Sequence, residues 1–505
     1  VQYDPSESIS SSEPERIDKA VIGAGFAGLC MAIQLKQAGM DDFFVAEQAE
    51  SLGGTWRDND YPGCACDVQA HVYSFSFAPN PGWTRLYAPR AEIRAYLEDC
   101  AVRFGVTPHL RFNETLQRAT FDEPSQRWLL RFSSGRKVSA RVLVAGMGGL
   151  SRASVPPVPG IETFKGTCFH SQQWDHDTPL DGKRVAVIGT GASAIQFVPE
   201  IAGRVAHLDV FQRTPPWIMP KNDRAPSTFE RWLLKRVPLA QRLLRATLYW
   251  MLEARVLAFV IHPSLMKVIQ KVALTHLRKQ VADPDLRRTL TPDYTIGCKR
   301  ILISSDYYPA VSRSNVSVVT EPVLRVEADA IITADNVRHP TDCIIFGTGF
   351  QVSKPFARGV VIGRGGVRIT DTWRNGAHAY LGTTLPGYPN FFMLVGPNSG
   401  LAHNSMVYMI EAQVAYVMHA LRYMRDHGIA TIDVKPQVEA DYNARIQHDL
   451  SQSIWSTGGC KSWYIDVATG KNTALWPGFS WRFRQALSVF RPEEYVMQPA
   501  VSITH

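Results

Sequence analysis

One stretch limits the possible folds more than any other: AVIGAGFAGLCMAIQLKQAG, residues 20–39. It reads as strand, tight turn and helix, with Gly23, Gly25 and Gly28 in a G-x-G-x-x-G spacing and Gly39 as a natural helix stop. The first glycine permits the turn, the second lets backbone approach a pyrophosphate, and the third lets helix and strand pack closely. The helix N-terminus then offers free N–H groups and the positive end of a dipole to an anion. A second strand, FFVAE, ends at Glu47, nineteen positions after Gly28, where a carboxylate meets a ribose hydroxyl in sites of this kind. The pattern returns in RVAVIGTGASAIQFVPEIAGRVAHLDVFQRTP, residues 184–215, where Gly189, Gly191 and Ala194 give G-x-G-x-x-A. There the acid is missing, and Gln212 and Arg213 stand at the strand end, followed by Thr214. A guanidinium at that point suits a 2′-phosphate, which a carboxylate would repel. The chain is therefore expected to hold two dinucleotides, the second being NADP rather than NAD.

Two such cofactors exchanging electrons are most simply FAD and NADPH. TDCIIFGTGF, residues 341–350, is an apolar strand ending in Gly347-Thr348-Gly349. It resembles the returning crossover of two-dinucleotide flavoproteins, with a sterically mild glycine in place of the commoner alanine. FFMLVGPNSG, residues 391–400, precedes an apolar helical stretch beginning near Ser405, whose N-terminus could stabilise negative charge on reduced flavin. A length of 505 residues is too great for one ordinary core, and 45% apolar with 20% charged residues describes a globular protein. The formal charge of +8 suits phosphate-bearing cofactors or plain solubility, and no nucleic-acid motif accompanies it. Eight cysteines in this length make no disulfide scaffold, so reduced, buried thiols in a cytoplasmic protein are expected. The close pair Cys64 and Cys66 is poorly spaced for zinc, and no metal is expected. Residues 1–16, rich in Ser, Glu and Pro, read as a loose arm rather than a signal peptide.

Three kinds of flavoprotein compete: a disulfide reductase, a monooxygenase and a non-catalytic sensor. GGTWRDNDYPGCACD, residues 53–67, places Trp56 where a first redox cysteine would be expected, and Cys64 and Cys66 are too close together to replace the pair. The same segment resembles the G-G-x-W-x-x-x-x-Y-P-G-x-x-x-D of type I Baeyer–Villiger monooxygenases. FKGTCFHSQQWD, residues 164–175, matches their fingerprint F-x-G-x-x-x-H-x-x-x-W-P/D at Phe164, Gly166, His170, Trp174 and Asp175. Ordinary flavin-containing monooxygenases share its first part but usually end it in Tyr or Phe. The chain is identified as a member of the Baeyer–Villiger family from its first glycine turn to its C-terminal aromatic segment.

That resemblance implies an α/β fold with two Rossmann-like dinucleotide-binding domains, for FAD and NADP, discontinuous and carrying a helical insertion. It implies that O₂ adds to the reduced flavin at C4a and that the resulting peroxide attacks a ketone, giving an ester or lactone through a Criegee adduct. The family's catalytic arginine lies in a K-R step ahead of a D/G-Y-Y segment. GCKRILISSDYYP, residues 297–309, puts Arg300 in that role and Lys299 beside the NADP phosphate. Asp67 is carried over as the carboxylate that orients the arginine, and Trp56 as a cofactor contact. Trp463, in KSWYID, resembles the tryptophan that hydrogen-bonds the nicotinamide cofactor, although the residues around it match more loosely. The fingerprint is expected to be a linker holding the domains in register, with His170 structural rather than a general base. The partners implied are a ketone and O₂, with sulfide or amine oxidation as the alternative chemistry and a monomer or homodimer as the assembly.

Between the halves, residues 227–293 turn helical and basic, with apolar residues at three- and four-residue spacing. Leu243 to Ile261 is the longest apolar stretch, but Arg245, Glu253 and Arg255 interrupt it, so no membrane span is expected. The expected role is a helical subdomain packed on the nucleotide domain, without membrane contact. The alternative is an exposed apolar face that admits apolar ketones or touches a membrane surface. The order of motifs divides the chain into FAD-binding pieces at 1–150 and 347–505, NADP-binding pieces at 151–226 and 294–346, and the insertion at 227–293. The Pro-rich VPPVPG, residues 155–160, is expected to form a hinge between them.

Overall fold

The structure, a computed structural model, describes residues 13–352, 356–460, 462–466 and 468–499. Most of the expected N-terminal arm, residues 1–12, lies outside the described residues, and Glu15 and Arg16 already belong to a strand, Glu15–Ile22. That strand becomes fully buried toward its C-terminal end because parallel neighbours flank it, Phe43–Ala46 on one side and Lys137–Ala145 on the other. The helix Phe26–Gln37 then covers the sheet and is itself covered by the long helix Met406–Asp426, so most of its residues are buried. It ends at Ala38, and Gly39 supplies the left-handed residue (φ 65°) that turns the chain away.

The first sheet runs Val361–Ile362, Leu116–Asp122, Arg127–Phe132, Lys137–Ala145, Glu15–Ile22, Phe43–Ala46 and Leu110–Arg111, with Phe391–Met393 also pairing to Lys137–Ala145. It is parallel around Glu15–Ile22 and antiparallel in the Leu116–Ala145 meander. The second sheet is wholly parallel, in the order Val316–Val319, His207–Phe211, Arg184–Ile188, Cys343–Phe346, Thr167–His170. Both sheets thus carry a glycine turn at the C-terminal end of a central strand, where open α/β sheets bind ligands.

The chain passes between the sheets twice, and the two passages are joined. Ala153 bridges Phe350, Ser154 N donates to Gly349 O at 2.8 Å, and Gln351 N donates to Arg152 O at 2.9 Å. The expected Pro-rich hinge is not free at its far end. Val326 N donates to Pro159 O at 2.8 Å, and a Cβ on Gly160 would sit 2.2 Å from Val326 O, so this end is fixed to the second unit.

A run of helices leaves the second sheet after Ile218–Met219 and returns at Leu302–Ile303, and these two short strands pair and close its base. Thr228–Arg236 begins with a capping box between Ser227 and Glu230, and Pro at the first position starts Pro238–Glu253. A π-helical turn, Leu257–Ile261, and the helix Met266–Gln280 follow. Among the described residues no single helix is long and apolar enough to cross a membrane.

Candidate functional site

The first glycine turn is shaped by contacts that only glycine tolerates. Gly23 has φ 99°, and a Cβ on Gly28 would lie 1.8 Å from Gly23 O. Gly25 differs, because its nearest neighbour for a Cβ is Gly54 Cα at 3.7 Å. Its surface is backbone open to a ligand, and the helix that starts there has no side-chain cap. A phosphate group fits such a cradle by replacing the missing cap. Glu47, buried at 3% exposure, accepts from Ala24 N at 2.8 Å and Ala49 N at 3.1 Å and pairs with Arg57 at 2.9 Å. The carboxylate read as a ribose ligand therefore also locks the turn to the short helix Thr55–Asp58. Trp56, on that helix, is buried and donates from Nε1 to Tyr73 OH at 3.3 Å.

The second turn repeats the geometry against a different neighbour. Gly189 has φ 108°, and its Cβ would meet Gly347 O at 2.5 Å, whereas Gly191 has only Gly347 O at 3.7 Å. A Cβ on Gly347 would stand 3.2 Å from the Cβ of Ala194. Alanine at position 194 and glycine at 347 thus share one small volume, which accounts for the Gly-Thr-Gly variation. Beyond the turn Arg213 is exposed, with no ion-pair partner within 4.0 Å among the described residues. Thr214 O accepts from Thr190 Oγ1 at 3.4 Å. Partial burial and the nearby Arg213 charge both press the Lys299 pKa down, while Lys299 Nζ lies 4.8 Å from the Tyr294 ring. Two cations that repel each other beside an open backbone turn are the donor set a 2′-phosphate requires.

Arg300 and Asp67 meet between the turns. Nε and Nη2 of Arg300 donate to Asp67 Oδ2 at 2.8 and 2.5 Å, and the two side chains are 31% and 29% exposed. The Asp67 charge holds the Arg300 pKa above its already high ordinary value. The motif ahead of Asp67 is fixed to the second unit: Tyr61 OH donates to Gln196 Oε1 at 3.0 Å, and a Cβ on Gly63 would lie 2.8 Å from Gln196 O. Tyr464 is buried beside Arg300; burial pushes its phenol up to about 12 while the guanidinium pulls it down. Trp463 packs on Tyr464 at 4.4 Å and is 50% exposed, so its ring is not part of the core.

The fingerprint segment is not a free linker. Thr167–His170 is the outermost strand of the second sheet, with His170 opposite Phe346. A Cβ on Gly166 would lie 2.3 Å from Asp342 O, and Phe164 stacks its ring edge over the same glycine. His170 is buried, its Nδ1 accepts from Gln172 N at 3.0 Å so that the ring is tied to backbone, and burial lowers its pKa. Trp174 inserts beside Phe197 at 5.2 Å, a contact with the helix that starts at the second turn. Asp175 accepts from Asp177 N and Thr178 Oγ1 at 3.0 and 2.6 Å and closes the loop.

Four features escape a motif-based reading. Arg57 is the ion-pair partner of Glu47. Gln196 also spans the two units through Nε2 to Ala65 O at 2.9 Å. Glu253 is fully buried, accepting from Asn404 Nδ2, Ser480 N and Ser480 Oγ at 2.7, 3.0 and 2.6 Å, and so pins the helical excursion to the first unit. Cys298 and Cys460 form a disulfide, which corrects the expectation of reduced thiols throughout and ties the strand entry carrying Arg300 to the loop carrying Trp463.

Comparison with known proteins agrees with this geometry. A family model described as flavin-binding monooxygenase-like matches residues 16–364. A Pseudomonas aeruginosa protein named Baeyer-Villiger monooxygenase is 53% identical over 476 residues, 94% of this chain and 90% of its own length. One of the same name from Streptomyces coelicolor is 46% identical over 488 residues, 96% of this chain and 94% of its own. Among solved structures, OTEMO in complex with FAD and NADP superposes with a TM-score of 0.85 at 26% identity, covering 96% of this chain and 100% of that one.

Proposed function

This chain belongs to the flavin-binding monooxygenase-like family and is a Baeyer–Villiger monooxygenase that uses FAD and NADPH, and on that premise we propose that Arg300, held by Asp67, is the cation on which oxygen insertion depends. The enzyme places one atom of O₂ next to a ketone carbonyl to give an ester or lactone, and the other atom leaves as water. When bound, FAD supplies the oxygen-activating centre and NADPH its two electrons.

The observation that carries the proposal is the Arg300–Asp67 pair. Asp67 takes one edge of the guanidinium, Nε and Nη2, and leaves Nη1 unengaged by that carboxylate. A guanidinium so fixed stabilises the negative charge that grows on a carbonyl oxygen as its carbon becomes tetrahedral. With its pKa held up by Asp67, it does so as a permanent charge, without giving up a proton. Gly23, Gly25, Gly28, Glu47 and Trp56 would hold FAD, and Gly189, Gly191, Arg213, Thr214 and Lys299 would hold NADP, with Trp463 closing on the nicotinamide side. Phe164, Gly166, His170, Trp174 and Asp175 set the edge of the NADP sheet against the paired crossing, and take no part in proton transfer.

The same reading divides the chain into FAD-binding pieces at 1–150 and 347–505, NADP-binding pieces at 151–226 and 294–346, and a helical excursion at 227–293. In its support, one sheet draws strands from 15–145 and from 361–393, and the other from 167–211 and 316–346. We place the enzyme in the cytoplasm, where NADPH is regenerated. The test compares Arg300→Ala and Arg300→Lys for flavin content, NADPH oxidation, ester and hydrogen peroxide. Arg300→Ala should keep its flavin and lose ester by about 10²–10³-fold, with the NADPH it oxidises appearing as peroxide, and Arg300→Lys should fall between. Full ester yield from Arg300→Ala would overturn the assignment.

A further inference from the structure

Residues 228–280 differ from the rest of the protein in charge. They hold ten lysines and arginines against two acids, Glu230 and Glu253, a balance of +8. This equals the formal charge of the whole chain, because the 44 basic and 44 acidic residues left from totals of 54 and 46 cancel. Neither acid neutralises the outer surface. Glu230 closes the capping box and pairs with Arg224 at 2.6 Å, and Glu253 is 0% exposed among Asn404, Ser480 and His403, whose Nε2 lies 3.3 Å from its Oε1.

The helix Pro238–Glu253 also turns polar side chains inward. Gln241, Arg245, Tyr249 and Glu253 follow one another at four-residue spacing on the side facing the first unit. Arg245 Nη1 donates to His71 O at 2.7 Å, and Tyr249 OH lies 3.1 Å from Ser480 Oγ. On the opposite stripe Leu239, Leu243 and Trp250 are 62%, 59% and 58% exposed, and Leu257 and Ile261 prolong it at 42% and 46%. Next to it Phe229 and Trp232 stack on each other at 6.0 Å while both remain mostly exposed. Leu265, Val268 and Val272 extend the apolar surface onto the following helix. Among the described residues, 12 of the 22 large apolar side chains that face solvent lie within 229–272.

A helix that merely covers a core shows the reverse arrangement, apolar inside and polar outside. An outward apolar ridge of about 30 Å, fringed by Lys235, Arg236, Arg242, Lys267 and Lys271, is what a helix lying in a lipid headgroup layer presents. The runs Pro238–Ile261 and Pro263–Gln280 meet at 113°, so they form a flat elbow rather than one spanning rod. A second copy of the chain is the weaker occupant, because pairing this face with itself would set Lys235, Arg236, Arg242, Lys267 and Lys271 against the same cations of the other copy. We propose that the outer face of residues 228–280 docks the enzyme peripherally on an anionic lipid surface, contrary to the absence of membrane contact expected from sequence. This inference is independent of the role given to Arg300.

The test uses the full-length FAD-loaded protein, sedimented with vesicles of phosphatidylcholine alone or with about a third phosphatidylglycerol, at low and at physiological salt. Binding should require the anionic lipid, weaken with salt and shift tryptophan emission to the blue. Lys267→Gln and Lys271→Gln should each lower the partition coefficient by about fivefold. Leu239→Ser with Leu243→Ser should abolish partition, while NADPH oxidation with a water-soluble ketone stays at the wild-type rate and shows that the fold is intact. Absence of sedimentation with anionic vesicles would overturn the proposal, as would binding that all four substitutions leave unchanged. A concentration-dependent dimer dissolved by the two leucine substitutions, without vesicle binding, would assign the face to a second copy instead.

Discussion

Replacing Asp67 by Asn tests the electrostatics of the site without emptying it. The amide keeps the shape and one acceptor for Arg300, but removes the charge that receives both guanidinium bonds at 2.8 and 2.5 Å. Two unit charges about 4 Å apart attract by about 4 kcal/mol at an effective dielectric of about 20. Side-chain exposures of 31% and 29% let water screen part of this, and the remaining amide bond returns a further part. The hold on the guanidinium thus weakens by about 2–3 kcal/mol, the worth of a hydrogen bond to a charged group; because only a guanidinium kept in that place stabilises the oxyanion, the competent population and with it the rate fall by up to about 30- to 150-fold. The assay follows ester by chromatography and NADPH by absorbance under air, with flavin content as the control. Asp67 raises the Arg300 pKa against the burial that lowers it, and an arginine guanidinium stays protonated across the working pH range with or without that help. The defect should therefore be uniform from about pH 6 to 9. An ester rate within threefold of wild type, or a defect confined to one side of neutrality, would refute the reasoning.

In Arg213→Ala the KM for NADPH should rise by about 10- to 100-fold while that for NADH stays within twofold, and equal rises would remove the 2′-phosphate from Arg213. Alkylation of the unfolded, unreduced protein should label no more than the six free cysteines described, and reduction should expose two more. Cys298→Ser with Cys460→Ser should lower unfolding free energy by about 2–4 kcal/mol in denaturant titrations, and an unchanged midpoint would show that the bridge is absent. At Glu253 burial pushes the carboxyl pKa up, but bonds from His403, Ser480 and Asn404 outweigh it and hold the group below its ordinary 4.5. Its contribution to stability is thus present above pH 4.5 and lost as pH falls through the lower folded value. Glu253→Gln should cost about 2–3 kcal/mol at neutral pH and flatten the acid limb of the stability curve; an unchanged acid limb would contradict the assignment.

What the sequence disclosed is what short-range sterics enforce. Gly23 and Gly28 are readable because each turn packs against itself, with a Cβ at Gly28 only 1.8 Å from Gly23 O. Arg300 and Asp67 are 233 positions apart, and only the family motifs connected them before the structure showed them paired. The cofactor types followed from Glu47 and Arg213 for the same local reason, since each stands at the end of the strand after its turn. Within the fingerprint, the edge strand Thr167–His170 is not legible from sequence, because a short strand with one neighbour has little alternation to betray it. The excursion shows a different limit. Periodicity at three and four residues announces two faces on Pro238–Glu253, but not which one points inward. That choice is made by Glu253, whose donors Asn404 and Ser480 lie more than 150 positions away. The disulfide was hidden likewise, because cysteine spacing along the chain is silent about a pair 162 residues apart.

The measurement that reaches the central claim most directly is a turnover under ¹⁸O₂ with a panel of linear, cyclic and steroidal ketones, read by mass spectrometry for wild type and Arg300→Ala side by side. Wild type should convert at least one ketone to an ester or lactone carrying a single ¹⁸O for each NADPH consumed, and Arg300→Ala should give labelled hydrogen peroxide in place of labelled ester. Unlabelled ester, no ester from any ketone, or labelled ester from Arg300→Ala at the wild-type yield would contradict the account.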